Sequence, residues 1–411
     1  MVFDMLFKAL VFLFLMYNIK FTFLSGIGSS YIALLFLLVL VILRGKLVNL
    51  ELLALGAATG LCFLSISMFS LLHPSSDFGL IKFSIIAFIS IAISGAVFKS
   101  FFYSRPIELF GVFGLAGLIN AFLIILMSLS STFQDLYLSL LIVEAEELYG
   151  DGISDGFFSL RMVGSTGFAT YSTAFTQCVC VFSYYIYVSY CSSVNNTKIS
   201  VYNYLAMTVV LISAVIAART AFVGIAILFV MMMFDVKNRR GNLLFLFVCV
   251  LIFTVIISVV SFYFSSERTD FFVNWVTEVF YKGLQVGSVQ KMGGMFHFSY
   301  YDFSILGESK LNNPAGGYYM GVDIGYLRVL FSAGYFGTLL IALLFITSVR
   351  IYNFDRIYIV YTFFLFAIIL VFMIKGLIIF DAFYILLYVG LMSHAFKALS
   401  ATGFRRGHLE S

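Results

Sequence analysis

Long apolar runs alternate with short polar connections along the whole chain. The runs occupy residues 3–19, 27–43, 50–71, 80–98, 107–131, 165–191, 200–217, 220–234, 243–264, 324–348, 357–374 and 377–395. A stretch of about 17–25 apolar residues is long enough to cross a hydrocarbon core of about 30 Å. Backbone groups cannot stay unpaired in lipid, so each run predicts a helix that satisfies them internally. The pattern therefore predicts an all-α polytopic membrane protein of about 12 transmembrane helices, with residues 1–411 forming one transmembrane domain. The run 220–234 is short, which predicts a tilted helix or a tight hairpin with the helix before it. Two connections exceed the others in length: a first large loop at 132–164 and a second at 265–323.

Composition agrees with that pattern. Hydrophobic residues make up 62% of the chain and charged residues 11%, against roughly 45–50% and 25% in soluble domains. Fifty Phe and twenty-five Tyr suit lipid-facing surfaces and interfacial belts. Three prolines and no low-complexity tract leave little room for a disordered linker or a separate soluble domain. The five cysteines (Cys62, Cys178, Cys180, Cys191 and Cys249) fall in or at the ends of apolar runs. Thiols so placed serve as small packing residues, and neither a disulfide framework nor a CxxC pair is present.

Charge orients the helices. Arg44 with Lys46, Lys99 with Arg105, Lys237 with Arg239 and Arg240, Arg350 with Arg356, and Lys397 with Arg405 and Arg406 fall in alternate connections. By the positive-inside rule these connections are cytoplasmic, as are both termini. Acids such as Glu144, Asp151, Glu278, Asp302, Glu308 and Asp323 crowd the two large loops on the other side. The net charge of +4 is thus a topology signal and no argument for nucleic acid. Residues 1–19 lack a small-residue cleavage site, so the first run is expected to remain as an anchor.

Candidate chemistry concentrates at the large loops. The first 130 residues read as scaffold: Gly56-x-x-x-Gly60 permits a close helix approach, and Glu51 and Lys82 can snorkel to an interface. The first loop opens with an amphipathic segment suited to the membrane surface and ends in Arg161-Met-Val-Gly-Ser-Thr-Gly167. Arg161 either binds an anion beside these glycines or anchors a helix end to lipid phosphates. Arg219 occupies a tight turn, Ala217-Ala218-Arg219-Thr220, where an unpaired charge facing lipid is costly. A partner is expected, either a loop carboxylate or a bound anion, with the anion favoured.

The second loop carries Arg268, Trp275, Lys282, Lys291 and His297, and an amphipathic segment over 267–285 that predicts a lid or interfacial helix. His297, between Phe296 and Phe298, reads as structural. The polar, glycine-rich stretch 306–337 then runs straight into an apolar helix. Asp323 at that junction serves either as a helix cap or as a general base. Tyr318, Tyr319 and Tyr326 can stack on sugar rings, or stand as ordinary interfacial tyrosines. Lys375 and Asp381 lie at the last turn on the loop side. They pair with each other, or Lys375 adds a positive charge to the same cavity as Arg161 and Arg219.

Several chemistries find no motif. P-loop, GxGxxG, HExxH and Asp-x-Asp are absent from the sequence, which disfavours nucleotide-driven pumps, nicotinamide enzymes, zinc proteases and metal-bound sugar nucleotides.

The order of features resembles a known family. A large loop ends in Arg161-x-x-Gly-x-x-Gly167, Ala218-Arg219-Thr220 follows at a tight turn, and a longer loop ends in Asp323-x-Gly-Tyr-Leu-Arg-Val-Leu-Phe-Ser-Ala-Gly-Tyr-Phe-Gly337. This layout is similar to the Wzy-type O-antigen polymerases of the O-antigen ligase/polymerase superfamily. The glycine spacing after Arg161 and Arg268 differs from the family's usual pattern. The resemblance implies a GT-C-like glycosyltransferase of the bacterial inner membrane that works without a cofactor or metal. It would transfer a glycan from undecaprenyl diphosphate to the non-reducing end of a lipid-linked repeat, with a chain-length regulator as partner. Arg161, Arg219, Arg328 and Lys375 are the implied cations for the diphosphate, and Asp323 the implied base. Where the related ligases carry a histidine this chain reads Gly321-Val322-Asp323-Ile324, which favours polymerase over ligase. A lipid-linked glycan flippase is the alternative from another class, although no internal repeat supports it.

Overall fold

The computed structural model describes residues 2–44, 57, 60–61, 78–143, 163–263, 278, 290, 293–295, 298, 302–313, 317–349, 355–382 and 384–401. In chain order the helices are α1 (Val2–Tyr17), α2 (Ser29–Leu43), α3 (Gly79–Phe101), α4 (Glu108–Leu129), α5 (Ser131–Leu138), α6 (Tyr171–Val194) and α7 (Val201–Ala217). There follow α8 (Ala221–Met233), α9 (Arg239–Tyr263), α10 (Gly325–Val349), α11 (Arg356–Met373), α12 (Ile378–Asp381) and α13 (Tyr384–Ala401). Among the described residues the only β-type pairing is isolated bridges. Helices α3, α4, α10, α11 and α13 are long and apolar enough to cross a membrane, and α2, α7 and α8 are shorter apolar helices. The protein is an all-α, membrane-embedded chain. The expected helices at 50–71 and 267–285 lie almost wholly outside the described residues, as do Glu51, Cys62, Arg268, Trp275 and His297.

Helix α6 is the axis of the bundle. It is buried around most of its circumference, the pattern of a helix packed on all sides, and lies against α4, α7, α8 and α11. Small residues make the approach possible. Gly111, Gly114 and Gly117 form one face of α4; a Cβ on Gly114 would run into the Tyr184 ring, and one on Gly117 into Cys180. Cys178 packs in the same way against Gly224 of α8. These glycines let α4 and α8 approach α6 closely. Thr170 and Thr173 close a reciprocal capping box at its first turn, which satisfies otherwise orphaned amides.

Two runs fold differently from expectation. The run 377–395 gives a single turn, α12, and then α13, which starts at Tyr384 and continues to Ala401. The backbone leaves helical geometry at Leu377 and again at Ala382, where Asp381 is drawn to Tyr171 of α6. The run 324–348 forms α10, but α10 is broken at Gly334.

The two ends of the bundle differ. At the end away from the large loops, buried Asp235 accepts hydrogen bonds from Tyr185 (2.9 Å), Ser189 (2.6 Å) and the Asn238 side chain (2.9 Å). This network ties the α8–α9 turn to α6 without any cation. Nearby Lys8 pairs with Asp4 at 2.6 Å and Glu108 at 3.6 Å. On the flank, an apolar cavity of about 410 Å³ lies between α2 and α3, where Lys82 sits 5.3 Å from the centre of the Tyr31 ring.

Candidate functional site

The site is built around the break in α10. Gly334 adopts φ 66°, ψ −173°, a region open in practice only to glycine. Helical bonds from Tyr335 N to Phe331 O and from Phe336 N to Ser332 O are replaced. Residues 304–309 of the second loop run into the gap and take all four groups. Glu308 N donates to Phe331 O (2.8 Å) and Ser309 N to Ser332 O (2.9 Å). In return, Tyr335 N donates to Ser304 O (3.4 Å) and Phe336 N to Ile305 O (3.0 Å). Gly307, at φ 75°, faces Gly334, and a Cβ on either would strike the other strand's backbone. The loop is therefore an inserted part of the helix surface.

A small hydrophobic cluster clamps the insertion. Val322, Ile324, Leu327 and Phe331 are buried, with Phe298, Phe303 and Tyr319 packed around them. Phe331 is the hub, with ring centroids 4.9 Å from Phe303, 5.1 Å from Phe298 and 5.6 Å from Tyr319.

At the mouth of α10, Asp323 pairs with Lys375. Lys375 Nζ lies 3.2 Å from Asp323 Oδ2, while Asp323 Oδ1 is buried with no hydrogen-bond partner. Neither oxygen caps the helix, so the cap expectation is not met. The expected Lys375–Asp381 pair is not formed either: Asp381 Oδ2 accepts from the Tyr171 hydroxyl at 2.6 Å. Glycines bring these pieces together. A Cβ on Gly325 would meet the Gly376 carbonyl, and one on Gly376 would meet the Tyr171 ring. The Asp323 junction, the Lys375 turn and the start of α6 are thus stacked on one another.

One turn further along α10 lies Arg328, only 6% exposed. Its guanidinium carbon sits 4.1 Å from the centre of the Tyr318 ring, and its Nε has no hydrogen-bond partner. Among the described residues no carboxylate pairs with it. Arg328 and Tyr318 both lie within electrostatic reach of the Tyr171 hydroxyl. Arg328, Lys375, Asp323, Tyr318, Tyr171 and Asp381 therefore converge at the loop-bearing end of the bundle.

The remaining candidates divide. Arg219 Nη1 meets Glu278 Oε2 at 2.5 Å, so a carboxylate of the second loop, one of the two expected partners, lies on it. The charge of Arg219 needs an acid at this boundary, and the loop brings one within reach. Tyr326 donates its hydroxyl to the Leu370 carbonyl of α11 at 2.5 Å and keeps its ring partly exposed. Tyr319 donates to Glu308 Oε2 at 2.7 Å, and Lys310 reaches the same oxygen at 3.1 Å. Burial and the hydrogen bond to Glu308 hold the Tyr319 phenol above its ordinary value. Burial is the largest single effect on Lys310 and works against its charge, but the hydrogen bonds and charges of Glu308 and Tyr319 together outweigh it and raise the ammonium. Arg161 lies outside the described residues. The turn after it is fixed, because Asn120 Oδ1 accepts from Ser165 N at 2.9 Å beside Gly164 at φ 86°.

Sequence reasoning did not single out Tyr171 or Asn120, nor the bonding that joins Tyr319 to Glu308 and Lys310. Among the described residues no three His, Cys, Asp or Glu side chains gather into a metal-holding group. No family model, curated protein or solved structure matches the chain.

Proposed function

We propose that this chain is a lipid-dependent, metal-independent glycosyltransferase that polymerises undecaprenyl-diphosphate-linked repeat units of an O-antigen or capsule-type glycan. The observation that carries the proposal is Arg328, buried at 6% exposure with the Tyr318 ring against it. Desolvating a cation costs several kcal/mol. A desolvated cation–π contact returns about 2 kcal/mol. A phosphate oxygen pair would close the difference, and a guanidinium binds such a pair bidentately.

In this proposal the diphosphate of the donor lies on Arg328, with Lys375 adding charge from the adjoining turn. Positive charge fixed at this position stabilises the leaving diphosphate as the glycosidic bond breaks. Asp323 holds Lys375 in place, and the exposed Tyr326 ring offers a stacking face to a sugar. Arg161 and Arg219 serve the loops around the donor. The topology belongs to the proposal too: about 12 spans in a GT-C-like arrangement, both termini cytoplasmic, and the large loops on the periplasmic face of a bacterial inner membrane. A chain-length regulator is the expected partner.

The broken helix α10 favours a second function, since transporters use interrupted helices at their binding sites. That function is a flippase for the same lipid-linked glycan. Deletion of the gene separates the cases. Polymerase loss leaves single-repeat glycan at the surface, flippase loss leaves repeats unexported, and ligase loss leaves polymer unattached. Either of the last two outcomes rejects the proposal.

A further inference from the structure

We infer that Glu308 is the general base that accepts the proton of the attacking sugar hydroxyl, an assignment resting on the transfer reaction proposed above. Placement comes first. Glu308 is held by its own amide on Phe331 O, and the next amide, of fully buried Ser309, is held on Ser332 O. The backbone at this carboxylate is thus tied to the helix break and cannot drift with the loop. The side chain is fixed as well, because Tyr319 and Lys310 both bond Oε2. It keeps 35% of its surface exposed, which an incoming sugar requires.

Its position relative to the arginine follows from two adjacent residues. The Tyr318 ring lies against the Arg328 guanidinium, and the neighbouring Tyr319 hydroxyl bonds Glu308. The acid and the buried cation therefore stand on either side of one dipeptide. Asp323 fits the role less well, because its Oδ1 is buried away from any approaching hydroxyl and its Oδ2 belongs to Lys375. Asp323, the acid favoured from sequence, becomes a residue that positions Lys375.

The step balances as follows. The acceptor hydroxyl oxygen attacks the anomeric carbon and forms the new C–O bond. The bond from that carbon to the diphosphate oxygen breaks, its electron pair leaves with undecaprenyl diphosphate, and the negative charge is met by Arg328 and Lys375. The hydroxyl proton passes to the Glu308 carboxylate and then to solvent.

The test uses the purified full chain in lipid nanodiscs, with lipid-linked oligosaccharide extracted from cells lacking this gene. Glu308→Gln keeps an oxygen for Tyr319 and so keeps the local fold, checked by thermal unfolding. We expect its kcat to fall about 100- to 10,000-fold with KM changed little. The wild-type rate should decline on the acid side as a carboxylate protonates, and Glu308→Gln should lose that limb. Glu308→Asp should retain the limb at a reduced rate, which keeps the test decisive if the glutamine variant unfolds. An unchanged kcat, a change confined to KM, or an intact acid limb in Glu308→Gln overturns the inference while leaving the transferase proposal standing. No polymer from the wild-type chain overturns both.

Discussion

Replacing Gly334 with alanine should release the inserted loop without touching any charged group. At φ 66°, ψ −173° a side chain costs about 1–3 kcal/mol in backbone strain alone. The added Cβ would also collide with Gly307 N and Ile305 O, so the strand 304–309 has to move. Moving it disrupts hydrogen bonds at Glu308, Ser309, Tyr335 and Phe336, each with a net worth of about 0.5–1.5 kcal/mol. Partial loss of these bonds, added to the strain, gives a local destabilisation of roughly 2–4 kcal/mol. At about 1.4 kcal/mol per factor of ten, that is roughly 30- to 1,000-fold faster opening. Hydrogen–deuterium exchange on peptides covering 302–313 and 330–337 reads it directly. Gly293→Ala is the control, because nothing lies within 4 Å of a Cβ there. Unchanged protection in Gly334→Ala would mean that the insertion does not hold the loop to the helix.

Four other perturbations probe the rest of the site. Arg328→Ala should lower transfer by about 100- to 1,000-fold, the usual cost of removing one preorganised charge stabiliser, and Arg328→Lys should recover only part of it; the assay is polymer formed per unit time. Tyr318→Phe keeps the ring against Arg328, so activity should stay near wild type, while Tyr318→Ala should weaken donor binding. A double-mutant cycle on Asp323→Asn and Lys375→Met, read by thermal unfolding, should give a coupling of about 1 kcal/mol for this partly exposed pair. Gly325→Ala drives a Cβ into the Gly376 carbonyl, so it should lower Tm and activity together by parting Asp323 from Lys375.

Helices were legible in the sequence because lipid leaves the backbone one way to satisfy itself. Segments such as 107–131 and 357–374 therefore needed little more than their hydrophobicity to be placed. The break in α10 was not legible. Gly334 sits inside an apolar run, and the groups it frees are bonded by residues near 304–309 that no local pattern connects to it. Charge partners failed for the same reason. Lys375 and Asp381 are close in sequence, yet Asp381 bonds Tyr171 and Lys375 bonds Asp323. Arg219 announced its need for a partner, and the tertiary fold supplied Glu278. Arg328, Lys375 and Asp323 were named from their places at loop–helix junctions, where the structure brings them together. The packing glycines on α4 went unnoticed because glycines at a three-residue spacing are common in apolar helices, and only the facing Tyr184 and Cys180 give them a purpose.

The most direct test of the account is polymerisation by the purified chain in nanodiscs, supplied with undecaprenyl-diphosphate-linked oligosaccharide, excess chelator and no nucleotide. The account predicts a ladder of products spaced by one repeat unit, lost in Arg328→Ala. A chain that yields no ladder until a metal ion or a nucleotide sugar is added would contradict it.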